Sequence, residues 1–284
     1  MAAILAPVAH VAAGRAYFID GDGTVRSLGR YGDVREETRF PVTDAQQEAS
    51  FAVSPDGRRL TGAVVTLPAK PEPAPRVLSG LFSMDVMIAA APGPAVVSHH
   101  ETWTDTRAHG SGAHFVAWDP TGPVASYPAP LGSVGGGTQK WSGPLVHFPD
   151  GAPGSPVSIS DRCFINDMLP DGRYVCTPAE GTIEVHAADG SPLWQRVHTP
   201  GEGYFSCLLS PDAQRVVTYV GPEVVALDGS AMSLASHFDH LGWLDSSTVI
   251  GHTGPAAELA YVRLQSPTEL VDLGFKGAFV GSLD

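Results

Sequence analysis

The stretch FAVSPDG, residues 51–57, decides how the rest of the sequence is interpreted. Three apolar residues lead into a serine, and a Pro-Asp-Gly turn follows it. Proline and glycine preset the backbone angles of a tight turn, and the aspartate side chain hydrogen-bonds to the backbone within it. A single turn of this kind fits any hairpin, whereas turns that recur at near-regular spacing indicate a repeat architecture.

Related turns do recur along the chain. Aligned on the serine of SPDG, they fall at Ser54, Asp119, Leu169, Ser210 and Asp245, and the steps shrink from about 65 to about 35 residues, around the length of a propeller blade. Each turn lies between two apolar strands, and two more strands follow, such as TIEVHA (182–187), whose alternation has a period of two. The pattern predicts four-stranded antiparallel blades of an all-β propeller, with an irregular β-sandwich as the alternative.

The two ends of the chain supply a sixth unit. The segment 277–283 is predicted to be the inner strand of a blade whose outer strands lie near 15–44, which would close the ring by pairing the C-terminal strand with the N-terminal blade. The stretch ILAPVAHV (4–11) is the alternative for that strand. The prediction is a single domain, 1–284, with six blades at 277–284 plus 13–44, 48–102, 112–159, 162–198, 203–236 and 239–275.

Two of these repeats carry a family resemblance. SPDG followed by RRLTGAVV (58–65), and SPDAQRVVTYV (210–220), resemble the repeats of TolB-like and WD40-like six-bladed β-propellers, whereas WDPTG and WLDSST depart from them. The resemblance implies the fold. The broad group contains periplasmic scaffolds, propeller domains of peptidases and some metal-dependent lyases, so the fold alone does not choose an activity.

Composition and charge restrict the partners. The 284 residues are 43% hydrophobic and 17% charged, with a net charge of −13, so nucleic acid and anionic membrane surfaces are disfavoured. No run reaches the roughly 18 apolar residues that a membrane helix needs. The start, MAAILAPVAHVAAG, lacks the positive region of a signal peptide, which leaves a cytosolic protein or a mature domain given a new Met.

Histidines mark the place where a metal is expected. In a propeller the inner strands line a central channel, and the residues about five before each aligned turn include His114 and His240, in opposite blades. The segments 99–101 and 237–239 are read as adjoining loops. Imidazole suits Zn, Mn, Fe or Ni, and a carboxylate can complete the site, unless these loops collect histidine without binding metal. The predicted ligands are His100, His114, His237, Asp239 and His240.

The cysteines and one tryptophan give weaker signals. Cys163 and Cys176 flank the turn of the fourth unit, so they form a disulfide if their Cα atoms come within about 5.5 Å, or else two buried thiols. A disulfide would indicate an oxidising compartment, and a secreted or envelope location is favoured on that ground. Cys207 is expected in the core, and Trp141, in a Gly-rich loop, is the tryptophan expected to make a surface contact.

The sequence has neither an HExxH nor a GxSxG motif. The first hypothesis is therefore a non-catalytic binding or scaffold propeller that engages a protein, peptide or glycan at its loop face. The alternative is a metal-dependent lyase or hydrolase with a His-lined site at the mouth of the central channel. A structural subunit of a larger assembly is the third interpretation.

Overall fold

The computed structural model describes residues 9–68, 80–105, 114–126, 145–148, 157–160, 164–177, 182–197, 207–218, 222–236, 238–253 and 258–276. These residues form 24 strands in six four-stranded sheets, in which neighbouring strands are consecutive in the chain. This confirms the prediction of four-stranded antiparallel blades. Over the same ranges, no helix is long and apolar enough to cross a membrane.

The chain divides into two compact units after Ile165, and each is described by itself. Three sheets belong to the first unit, and their inner strands are β1, β5 and β9. The strands are β1 Ala9–Ala12, β2 Arg15–Ile19, β3 Thr24–Gly29, β4 Val34–Arg39, β5 Gln47–Val53, β6 Arg59–Thr66, β7 Gly80–Ala90, β8 Val96–Asp105, β9 His114–Asp119, β10 Gly122–Ser126, β11 Leu145–His147 and β12 Val157–Ser160.

The second unit contains the other three sheets, and its first strand begins just before the boundary. The strands are β13 Phe164–Met168, β14 Tyr174–Thr177, β15 Thr182–His186, β16 Pro192–Val197, β17 Cys207–Leu209, β18 Arg215–Thr218, β19 Glu223–Ala226, β20 Ala231–Ser233, β21 Phe238–Asp245, β22 Thr248–Thr253, β23 Glu258–Arg263 and β24 Leu270–Lys276.

The recurrent turn joins the first two strands of a sheet, and its own side chains hold it. The Ser54 hydroxyl donates to Asp56 Oδ1 over 2.6 Å and accepts from the Arg59 N–H over 2.9 Å. Gly57 has the positive φ that the turn requires, +69°. Where the serine is replaced by Asp119 or Asp245, the aspartate accepts the N–H two residues further on, over 2.7 and 2.6 Å.

The first sheet differs from its preferred prediction. Its first strand is β1, which pairs with β2 through a two-residue turn at Ala13 and Gly14, both with positive φ. A two-residue turn with positive φ at both positions matches the twist of the strands it joins, and closing so short a loop costs little entropy. β1, which overlaps the alternative segment 4–11, therefore occupies the place given to 277–283, and residues 4–8 and 277–284 lie outside the described residues.

Apolar side chains pack between consecutive sheets within each unit. In the first unit, Tyr17 and Phe40 pack with Phe51, and a second cluster joins Phe82 to Phe115. In the second unit, one cluster links the sheet of β13–β16 to that of β17–β20, and another links the latter to the sheet of β21–β24. Face-to-face packing of successive sheets is how propeller blades bury their surfaces.

Polar contacts tie the inner strands of neighbouring sheets together. In the first unit, His10 Nε2 lies 2.6 Å from the Phe51 carbonyl, and Ser50 accepts the Phe115 N–H over 3.1 Å. In the second, the Leu209 N–H donates to Asp167 over 3.0 Å, and the Trp243 indole donates to the Leu208 carbonyl over 3.1 Å. These bonds position each sheet against the next.

The segments that the sequence analysis predicted as loops can now be compared with the strands. Residues 99–101 lie inside strand β8 and Asp239 lies inside β21, so the prediction that they belong to loops was wrong. The Gly-rich segment 132–143 falls between the paired strands β10 and β11, outside the described residues.

Candidate metal centre

One face of the β14–β15 hairpin gathers polar side chains. The register sets Tyr174 opposite His186, and Cys176 opposite Glu184. Because side chains alternate along a strand, these four lie on one face of the sheet. On the other face, Ile183 and its apolar neighbours belong to a buried cluster with β17 and β18. Packing of the apolar face holds the hairpin in place, and this also positions the four side chains on its polar face.

His186 is held by three contacts. Its Nδ1 lies 2.9 Å from the Gly190 carbonyl oxygen, and its Nε2 lies 2.8 Å from Glu184 Oε2. The ring stacks on Tyr174, with centroids 5.0 Å apart and an interplanar angle of 2°. Burial raises the pKa of the Tyr174 phenol, and the carboxylate of Glu184 adds to that shift. The imidazole therefore has a defined orientation.

Three different ligand types meet at this place. One ligand atom each from Cys176, Glu184 and His186 lies within 4.8 Å of the other two. Sulfur, carboxylate oxygen and imidazole nitrogen are the ligand atoms of protein-bound zinc. Cys176 is buried, whereas the side chains of His186 and Glu184 are 12% and 22% exposed. The group can therefore be reached from the Glu184 side.

Cys176 is disulfide-bonded, and in that form its sulfur is not a thiolate ligand. The partner predicted for it, Cys163, lies outside the described residues, so the pairing stays a prediction. Cys207 is a buried free cysteine, as expected, and burial strongly raises the pKa of its thiol. A thiol of this kind is unreactive.

The predicted metal ligands are distributed over different strands. His100 lies on β8 and is exposed, with its Nδ1 2.6 Å from Asp85 Oδ1. His240 lies on β21 and is buried, while the adjacent Asp239 is exposed, as expected for side chains on opposite faces of a strand. His114 begins β9. His237 lies outside the described residues, as does Trp141, so the predicted ligand set stays a prediction.

A second polar group was also not anticipated. His147, on β11, lies with its Nε2 3.0 Å from Oδ2 of the buried Asp119. Burial opposes ionisation of Asp119, but the hydrogen bonds from His147 and Thr121 outweigh it and lower the pKa of that carboxyl. The carboxylate thus serves both the turn and the imidazole, which is a structural role.

Sequence reasoning identified TIEVHA as a strand but not as part of a site. The sequence pattern that could have identified the site is a pair of alternating motifs, Tyr-x-Cys in β14 and Glu-x-His in β15, separated by a short connection. In a hairpin, two such patterns place four polar side chains on one face when the register aligns them.

No family model matches the chain, and no curated protein matches it. Several solved structures, however, are similar to it in fold. The chain is similar to the β-propeller domain of Cps50 (Swd1) from Myceliophteria thermophila, with a TM-score of 0.56 at 11% identity, covering 96% of this chain and 88% of that one.

Two enzymes are also similar in fold. An oligogalacturonate lyase in complex with manganese gives a TM-score of 0.55 at 9% identity, covering 89% of this chain and 75% of that one. A prolyl endopeptidase gives 0.54 at 13% identity over 95% of this chain, which spans only 43% of that protein. Similarity at these identities establishes the fold and not the activity. The chain is therefore a β-propeller built from four-stranded antiparallel blades.

Proposed function

We propose that the protein is a non-catalytic binding module that engages a protein or peptide partner through the β3–β4 hairpin. The observation that carries this is an exposed apolar tip. Leu28, Tyr31 and Val34 are 39%, 94% and 57% exposed, and Leu28 pairs directly across the hairpin with Val34. Contiguous exposed apolar side chains are typical of interaction sites, and tyrosine is enriched in them.

Hydrogen bonds hold the backbone of the hairpin tip, which supports the same proposal. The side chain of Arg15 donates to the Asp33 carboxylate over 2.7 Å and to its carbonyl over 3.0 Å. The Gly29 N–H donates to the Asp33 carbonyl over 2.9 Å, and Gly32 has the φ of +83° that closes the turn. A preorganised tip loses little conformational entropy on binding, so more of its contact energy becomes affinity.

Peptide selection tests the proposal. A displayed random-peptide library and a glycan array are screened on the immobilised protein, and the selected ligands are measured against Tyr31→Ala. We expect a loss of affinity of at least about tenfold, as for an interface hot spot. Leu193→Ala is the matched control, because Leu193 is also an exposed apolar residue, on β16. Ligands that bind Tyr31→Ala as tightly as the parent would refute the proposal.

The alternative function is a metal-dependent lyase or hydrolase, supported by the fold similarity to a lyase in complex with manganese. Its ligands would come from His100, His114, His237, Asp239 and His240, holding Zn, Mn, Fe or Ni in the channel mouth. Metal analysis of the purified protein separates the two functions. One bound equivalent that His114→Ala removes favours the enzyme, and a metal-free preparation favours the binding module.

The finer architecture is also part of the proposal. The six sheets close into one six-bladed ring of the TolB-like kind, with β1 as the inner strand of the first blade. A deletion of residues 9–12 should then lower the melting temperature by several degrees more than a deletion of 277–284. The disulfide at Cys176 supports a secreted or envelope location. Thiol counting on protein from its native source tests that location, because a cytosolic protein would show three free thiols.

A further inference from the structure

We propose that Cys176, Glu184 and His186 form a redox-gated zinc site, closed by a disulfide under oxidising conditions and able to bind Zn²⁺ when Cys176 is reduced. This site is separate from the β3–β4 hairpin and from the predicted channel histidines, so it does not depend on the proposed function. It rests on the placement of three ligand atoms within 4.8 Å on a hairpin whose register is fixed.

The tautomer of His186 provides the first argument. A carbonyl oxygen only accepts hydrogen bonds, so the 2.9 Å contact with Gly190 places a proton on Nδ1. In a neutral imidazole Nε2 then carries a lone pair, and it lies 2.8 Å from a Glu184 oxygen, which also accepts. Two acceptors at that distance need a proton or a metal ion between them.

The same geometry is the one that zinc sites use. Histidine ligands of metals usually donate their second ring N–H to a carbonyl or carboxylate, which fixes the ring and leaves the other nitrogen for the metal. Here Gly190 accepts from Nδ1, and Tyr174 stacks on the ring at 5.0 Å. With Zn–N and Zn–O distances near 2.1 Å, the Glu184–His186 contact has only to lengthen to about 3.3 Å.

Charge explains why reduction matters. In the disulfide form, the sulfur of Cys176 carries no charge and is not available to a metal ion. Reduction frees this sulfur, and its thiolate would be a second negative charge, buried directly across the hairpin from Glu184. A divalent cation offsets both charges, and three protein ligands leave the fourth tetrahedral position to water.

The redox step uses a dithiol reductant. The dithiol transfers two electrons and two protons to the disulfide, becomes a disulfide itself, and leaves the thiols of Cys176 and its partner, taken here as Cys163. Zn²⁺ then displaces the thiol proton of Cys176 and forms the zinc–sulfur bond. A small-molecule disulfide reverses the step: it takes up two electrons and two protons, one from the partner thiol and one from solvent, and becomes two thiols, while the sulfur of Cys176 returns to the protein disulfide and releases the ion.

Zinc titration of the full chain tests the proposal. Oxidised protein, and protein reduced with a phosphine that is then removed, are titrated with Zn²⁺ against a chromophoric chelator. We expect one tight equivalent in the reduced form, at least about tenfold tighter than in the oxidised form. Co²⁺ provides a second reading, because thiolate ligation produces a near-ultraviolet charge-transfer band that oxidised protein should lack.

Substitutions test which residues bind the zinc ion. Glu184→Gln should weaken zinc binding by about tenfold or more while leaving the cobalt–thiolate band visible at high Co²⁺. Asp85→Asn is the matched control, because His100 and Asp85 form a similar contact at 2.6 Å but belong to another sheet. Cys207→Ala should preserve the band. Circular dichroism of each variant establishes that it is folded.

Three results would overturn the proposal. They are equal zinc affinity in oxidised and reduced protein, no cobalt–thiolate band after reduction, or unchanged zinc binding in folded Glu184→Gln. The outcome is independent of the channel histidines, since His114→Ala should leave this zinc equivalent in place.

Discussion

The turns at 54–59 and 210–215 have the same hydrogen bonds and different surroundings. In both, the serine hydroxyl donates to the aspartate over 2.6 Å and accepts the arginine N–H over 2.9 Å. The fourth position is Gly57 in one and Ala213 in the other, with φ of +69° and +55°. The serine and aspartate therefore define this turn, and glycine is not required for it.

The neighbouring sheet decides which residue fits at that position. A Cβ on Gly57 would lie 2.6 Å from the Tyr17 hydroxyl and 3.0 Å from the Ala13 Cβ, both from the first sheet. The methyl group of Ala213 is buried in the cluster with Val175, Ile183 and Val216. In the first turn, the Tyr17 side chain packs against the fourth position, whereas in the second turn the methyl group of Ala213 packs into the neighbouring cluster. The same local motif therefore forms two different contacts.

The largest expected effect is at Gly57. Gly57→Ala should lower the free energy of unfolding by about 2–4 kcal/mol, because it adds an overpacked methyl group to an unfavourable φ. Urea unfolding followed by circular dichroism measures the loss. In a Tyr17→Phe background, which removes the nearest clashing atom, the same change should cost at least about 1 kcal/mol less. An equal loss in both backgrounds would show that the backbone, and not Tyr17, requires the glycine.

The next effect comes from pH and acts at His10, which contacts the strand that leads into the first turn. Burial lowers the pKa of His10 from 6.5 to about 4, opposed by its bond to the Phe51 carbonyl in the strand before the turn. Between these values the unfolded chain binds a proton that the folded protein does not, so stability is lost as the pH falls from 6.5 to 4. The loss is up to about 3 kcal/mol.

A variant isolates this contribution. His10→Gln keeps an N–H donor for the Phe51 carbonyl but does not titrate, so its unfolding free energy should vary less between pH 6.5 and 4. Melting temperatures across that range provide the comparison. If parent and variant had parallel profiles, another group would be responsible. The aspartates of the two turns, Asp56 and Asp212, have lowered pKa values, so their contribution is lost only at lower pH.

The serines should behave alike in the two turns. Ser54→Ala and Ser210→Ala each remove a buried hydroxyl that donates to a carboxylate and accepts a backbone N–H, and each should cost about 1–2 kcal/mol. Ser230→Ala, which removes a 2.7 Å bond in an exposed turn, is the control and should cost less than about 0.5 kcal/mol. Costs that differed strongly between Ser54 and Ser210 would contradict the equivalence of the turns.

The smallest effect is expected at Ala213. Ala213→Gly relieves about 1 kcal/mol of backbone strain but loses a buried methyl group worth a similar amount, so stability should change by less than about 0.5 kcal/mol. Ala13 is the contrast, because it has a φ of 49° and is exposed. Ala13→Gly should stabilise by about 0.5 kcal/mol. Stabilisation by Ala213→Gly instead would mean that its methyl group contributes little packing.

The blades were predictable from sequence for a physical reason. The turn of residues 54–59 is held by side chains within six consecutive residues. Because its geometry depends only on these neighbouring residues, the turn can be recognised in the sequence wherever it recurs. β1 was harder to recognise. AHVA is short, and its turn uses Ala13 at a φ that alanine rarely adopts, so no Asn-Gly or Asp-Gly signal marks it.

The candidate metal centre was not predictable by the same means. Cys176 and Glu184 become neighbours only through the register of β14 with β15, and a shift of one residue would send them to opposite faces. Nothing in either strand alone distinguishes them from ordinary alternating positions. His186 also lies on the third strand of its sheet and not on the first, where the channel histidines were predicted.

The consecutive order of strands in every sheet has a consequence for how the chain folds. Each strand finds its hydrogen-bonding partner in the segment made just before it, so the loops to be closed are short and the contact order within a sheet is low. A chain emerging from the ribosome can therefore complete one sheet while the next is still being synthesised. The slow step is then expected to be the docking of finished sheets, where His10 and Ser50 make their long-range bonds.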